Sequence, residues 1–97
     1  MFRHVVLFRW TEGATQAQQE TMADELRKLP AAVDTIRGYH AGPDAGVNPG
    51  NYNFAVVAEF DDADGYRTYR DHPAHRSVVE QYVNPIVAQR AAVQYQM

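Results

Sequence analysis

No cysteine occurs among the 97 residues. That absence excludes disulfides, a thiolate nucleophile, cysteine-ligated zinc and iron–sulfur clusters together. Basic residues are also in short supply, nine Lys+Arg against twelve Asp+Glu for a net charge of −3. Nucleic-acid binding needs a concentrated basic stripe, so no such partner is expected. No apolar run approaches the roughly twenty residues of a membrane span. Arg3, His4 and Arg9 interrupt the only early one, so neither a membrane span nor a signal peptide is expected, and a cytoplasmic location is. The chain has no nucleophile elbow, phosphate-cradling loop or dinucleotide fingerprint. Gly42-Pro43-Asp44-Ala45-Gly46 is too rich in proline, and wrongly placed, to serve as one.

What is present reads as one domain over residues 1–97. A chain this short buries a modest fraction of its surface, and without disulfides the available supplement is oligomerisation. Residues 2–10 alternate as a strand, with Phe2, His4, Val6, Phe8 and Trp10 on one face and Val5 and Leu7 between Arg3 and Arg9 on the other. Thr15 and Gln18 have capping-box spacing for a helix reaching about Leu29, with Met22, Leu26 and Leu29 on one face and Pro30 disturbing its end. Residues 31–35 then carry the chain into a second strand over 36–42, weakened by Gly38. Residues 43–51 hold two glycines and two prolines and form the one long loop. A third strand follows over 52–60, again apolar on both faces.

Asp61 or Asp62 caps a second helix reaching about Arg70, which must break at His72 because the residue before proline avoids the α region. Proline suits a first helical position, so a further helix runs from Pro73 to about Val83. Asn84-Pro85 ends it, and residues 89–96 make the fourth strand. The order is βαββαβ, a ferredoxin-like α+β fold with a four-stranded antiparallel sheet. Its helices cover one sheet face. The other face, apolar in the first and third strands, is expected to pack on a second copy, giving a homodimer.

Of the four histidines, His72 and His75 share the segment from Tyr69 to His75. A kink at Pro73 would bring the Tyr69 phenol and the His75 imidazole together, which continuous helical spacing would not. A helix start disfavours an imidazolium, leaving His75 neutral and able to take a proton. His4 is a polar group on an apolar strand face and would line the same pocket. Each residue also has an ordinary structural role open to it: His72 as a helix cap, His75 bonded to a backbone carbonyl, Tyr69 as a core aromatic with a polar tip, His4 as a hydrogen-bonded core histidine. No metal site is expected, since Pro73 removes His72 from the helix and no third ligand has suitable spacing. Tyr66, Tyr69 and Tyr82 have the spacing of helix packing rather than of a ligand box.

Phe2-Arg3-His4-Val5-Val6-Leu7-Phe8-Arg9-Trp10, Gly50-Asn51-Tyr52-Asn53-Phe54 and Tyr69-x-x-His72-Pro73-x-His75, in this order over essentially the whole chain, resemble the stress-responsive dimeric α+β barrel (Dabb) family. The resemblance implies a protomer whose sheet pairs with its twin's to close a barrel. One plant member of the family is a cofactor-free polyketide cyclase that closes a linear tetraketide by an aldol step. By resemblance its catalytic tyrosine and histidine correspond to Tyr69 and His75, and a pocket histidine corresponds to His4. A further pocket histidine of that cyclase is replaced here by Phe54, so the lining and the substrate differ. The substrate-binding candidates are thus His4, Phe54 and His72, with no cofactor and a small hydrophobic or aromatic ligand expected. Other members are oligomeric stress proteins, so a non-catalytic dimer or small-ligand binder stands as the alternative. Heme-degrading or quinone-forming monooxygenases share the barrel architecture, but no feature of this sequence favours that chemistry.

Overall fold

Alternation along the first strand orients the whole domain. The computed structural model describes residues 1–97, with β1 at Phe2–Trp10, α1 at Gln16–Arg27, α2 at Leu29–Ala32, β2 at Gly38–Pro43, β3 at Phe54–Phe60, α3 at Ala63–Asp71, α4 at Pro73–Val78 and β4 at Val87–Gln96. Residues Val79–Val83 continue α4 as a π-helical turn. The sheet order is β2-β3-β1-β4 with every neighbouring pair antiparallel. This is the ferredoxin-like α+β architecture.

The even residues of β1 lie with Phe54, Val56, Ala58 and Phe60 of β3 under the helices, and all four of these β3 residues are buried. Met22 and Leu26 of α1, Leu29 and Val33 join them in one apolar cluster that contains every buried residue, none of them charged. On the opposite face the cross-strand rows are His40–Val57–Val5–Val93 and Gly42–Ala55–Leu7–Ala91. Val93 is 59% exposed there, so this face has an apolar centre and no cover within the chain. Arg3, held by Glu59 and by the Tyr95 hydroxyl, borders it. Gly38 lies across from Glu59, and a Cβ there would make the Glu59 carboxylate shift. No helix is long and apolar enough to cross a membrane.

Local signals in the chain form as their chemistry dictates. The Thr15 hydroxyl accepts from the Gln18 amide N–H at 3.1 Å, and the Gln18 side chain returns the bond at 2.9 Å, closing the capping box. Asp62 caps α3 through the Gly65 N–H. Boundaries shift where tertiary pairing overrides propensity. The chain leaves α1 through the short helix α2, because Pro30 sits in a first turn where its missing N–H is harmless. Strand β2 begins at Gly38 and ends at Pro43, which an edge strand tolerates. Strand β3 starts two residues later than its sequence pattern suggests, and β4 two residues earlier. The last turn before Asn84 widens, with the Asn84 N–H donating to the Val79 carbonyl five residues back at 2.8 Å.

Thr15→Ala should destabilise the fold by about 1 kcal/mol through loss of the cap. Phe60→Ala, which empties a fully buried site against Tyr66 and Tyr69, should remove about 3–5 kcal/mol. Urea denaturation at fixed protein concentration measures both, and equal effects would contradict this placement of the core.

Candidate functional site

The site begins with the atom that Pro73 lacks. A proline at this position cannot donate to the Tyr69 carbonyl, and it holds His72 extended at φ −64°, ψ 135°. Helix α3 therefore stops at Asp71. His72 turns its ring onto the start of α4, where Nδ1 accepts from the Ala74 N–H at 3.0 Å. In an unbroken helix that N–H would have served the Arg70 carbonyl. The Arg70 carbonyl instead accepts from His75 Nδ1 at 3.1 Å. The same kink folds the His75 ring back against Tyr69, with ring centroids 4.2 Å apart.

These bonds determine tautomers. A carbonyl can only accept, so His75 carries its proton on Nδ1 and presents a bare lone pair at Nε2. On β1, His4 Nδ1 lies 3.0 Å from the side-chain nitrogen of Gln94, its cross-strand neighbour on β4. That amide donates, so Nδ1 of His4 accepts and its proton sits on Nε2. One imidazole can thus take a proton while the other offers one.

Both rings help line a cavity of about 260 Å³ between the sheet and α3–α4. Its wall also includes Phe8, Tyr66, Tyr69, Arg90 and Arg70, the last paired with Asp71, and no carboxylate. Tyr66 packs on His4 with ring centroids 4.8 Å apart. Burial depresses the His75 pKa; the bond to the Arg70 carbonyl opposes the shift, while the charge of Arg90 adds to it. Burial, then His75, lowers His4 as well. The sequence expectation of a neutral His75 rested on the helix start, whereas here desolvation is the leading cause. The buried Tyr69 hydroxyl is 3.3 Å from that of Tyr39, and burial, reinforced by Tyr39, raises its pKa. It remains a phenol.

Of the five residues singled out in the sequence, the structure brings His4, Tyr69 and His75 to this cavity and leaves two outside it. Phe54 is buried at the far end of the sheet, stacked on Phe8 and packed against a tilted Trp10, and is not part of the wall. The register explains this: Phe54 lies opposite Phe8, whereas Ala58 is the β3 residue opposite His4. His72 is the helix cap and acts on the site by positioning α4. The histidines form no metal cluster, as no three His, Asp or Glu side chains converge. Sequence reasoning missed Tyr39, Arg90 and Gln94, and it set Tyr66 aside as packing. Tyr66 and Tyr69 did carry a signal, the i, i+3 spacing that puts both on one helix face. The other three come from strands whose register local patterning does not reveal.

Sheet and site together define a ferredoxin-like α+β domain with a histidine–tyrosine cavity under its helices. The profile of the stress-responsive A/B barrel domain, Dabb, matches residues 2–97, and the chain belongs to that family. An uncharacterized protein of Streptomyces coelicolor is 31% identical over 81 residues, covering 81% of this chain and 84% of its own. A dimeric ferredoxin-like protein of unknown function from Thermobifida fusca is 45% identical, with a TM-score of 0.92 over 99% of this chain and 90% of that one. The hydroxynitrile lyase of Passiflora edulis has a TM-score of 0.86 at 15% identity, over 99% of this chain and 92% of its own, a likeness of fold alone.

Both cavity histidines should titrate below the ordinary 6.5 when followed by their Cε1–H resonances. The unfolded chain takes up these protons from about pH 6.5 downward, and the folded protein resists until lower pH. Stability should therefore fall as pH drops below about 6.5 and level off beneath the folded values. Ordinary titration of both rings would contradict their burial.

Proposed function

We propose that this protein is a homodimer whose cavity carries out cofactor-free proton transfer on a small carbonyl compound, making or breaking a carbon–carbon bond in an aldol-type reaction of the cyclase or lyase kind. The observation that carries the reading is the opposed pair of tautomers, His75 with a free Nε2 lone pair and His4 with a free N–H. In this scheme His75 Nε2 removes a proton from the carbon next to the carbonyl. The electron pair moves onto the carbonyl oxygen, where the His4 N–H stabilises it. The carbanion then adds to a second carbonyl, and His75 returns its proton to the new alkoxide. In the Tyr39–Tyr69 pair one hydroxyl donates and the other keeps a free hydrogen. In this scheme the Tyr69 O–H turns from Tyr39 to the substrate oxygen when the ligand binds. A lowered imidazole pKa suits a base that must be unprotonated near neutrality.

A polyketide-like substrate and a role in stress response fit this reading, and a cytoplasmic setting remains the expectation from the sequence. The cavity, somewhat below the usual range of about 300–1,000 Å³ for drug-sized ligands, suits a small molecule. Burial of the Tyr69 hydroxyl against Tyr39 favours a second reading, a non-catalytic dimer that binds a small ligand in the same place.

Exchange of methyl hydrogens for deuterium in 4-acetylbenzoate, followed by NMR, separates the two. The wild type should accelerate exchange, His75→Ala should lose at least about 100-fold of that acceleration and Tyr69→Phe should also fall. Binding without exchange would favour the second reading. A dimer is supported by the dimeric Thermobifida relative, and the uncovered apolar sheet face is the surface we assign to it. Val57→Asp, at the centre of that face, should give a folded monomer in sedimentation analysis, and an unchanged dimer would place the interface elsewhere.

A further inference from the structure

Strand β4 presents Arg90, Ala92 and Gln94 toward the helices, opposite Phe8, Val6 and His4. Gln94 is engaged with His4, and Ala92 is small. Arg90 lies over the Phe8 ring, 5.8 Å from guanidinium carbon to ring centroid, and donates to the Asn84 side-chain oxygen at 2.8 Å. Asn84 is itself anchored by the π-helical turn through its N–H to the Val79 carbonyl. The guanidinium is therefore positioned by a ring and a neutral amide, neither of which cancels its charge.

Elsewhere in the protein arginine charge is mostly neutralised. Arg3, Arg27, Arg37, Arg67 and Arg70 each pair with a carboxylate. Arg9, Arg76 and Arg90 do not, and of these only Arg90 borders the cavity. Its charge reaches the reacting end, since it contributes to the lowering of His75. A wall with one fixed, uncompensated guanidinium and no carboxylate is a receptor for a planar anion, which a guanidinium grips by two parallel hydrogen bonds.

We propose that the cavity's ligand carries a carboxylate seated on Arg90, with its carbonyl end toward His75 and His4. The substrate class is then an oxo acid rather than a neutral ketone or aldehyde. The carbonyl placement rests on the proton-transfer reading, whereas the carboxylate site stands on Arg90 alone.

The matched probes are 4-acetylbenzoate and its neutral counterpart 4-acetylbenzamide, titrated by NMR into the intact protein. The wild type should bind the acid at least about tenfold more tightly than the amide. Arg90→Gln, at an exposed strand position, should remove that preference. Arg76→Gln, which deletes the same charge away from the cavity, should keep it, and so should His75→Ala. Circular dichroism and amide NMR verify that each variant is folded. Equal affinity for the two probes, binding of neither, or a preference that survives Arg90→Gln would overturn the proposal. A preference retained by His75→Ala in a protein that never exchanges the methyl hydrogens would sink the catalytic reading and leave the carboxylate site standing. Exchange that proceeds equally on acid and amide would do the reverse.

Discussion

One missing N–H organises this site. Because Pro73 cannot continue the hydrogen bonding of α3, the chain breaks between two helices, and a carbonyl that a helix would have consumed is left for a side chain. His75 takes it, which fixes at once the direction of the imidazole, its contact with Tyr69 and the nitrogen that bears the proton. His72, forced into an extended conformation by the same proline, caps the second helix and closes the break. Cap, kink and imidazole are consequences of a single residue type, and replacing any one of them disturbs the others.

The sheet supplies the other half. Antiparallel pairing sets His4 beside Gln94, and the small, fully buried Ala58 separates His4 from Tyr39 in the same cross-strand row. Residues distant in the chain thereby meet across one cavity, and the opposed proton positions on His4 and His75 follow from bonding partners on different elements. Burial keeps both rings neutral, and Arg90 adds a fixed positive charge at the edge of an otherwise uncharged base pair. A structural role and a chemical one are not exclusive here. The carbonyl bond that satisfies His75 is also what leaves its other nitrogen bare.

Membership of the stress-responsive barrel family accounts for the fold and says less about the reaction, because one scaffold supports several activities. The Thermobifida relative shares 45% identity and the architecture, and the Passiflora lyase shares the architecture at 15%. In this chain Phe54 packs in the core at the end of the sheet, outside the cavity, and an arginine without a carboxylate partner, Arg90, borders the site.

Local chemistry was legible without coordinates. Alternation in β1 and β3, the capping box at Thr15, the cap at Asp62 and the break at Pro73 each depend on neighbours within a few residues, and so did the placing of His4, Tyr69 and His75 as candidates. The sequence alone also determined that two sheet faces are apolar while the helices can cover one. Strand register belonged to the tertiary structure, because pairing partners are chosen by packing across the whole sheet. Register made Gln94 the partner of His4, carried Arg90 to the cavity and took Phe54 away from it. The tautomers were decided there too, since a ring nitrogen's proton is assigned by whichever distant group the fold sets against it.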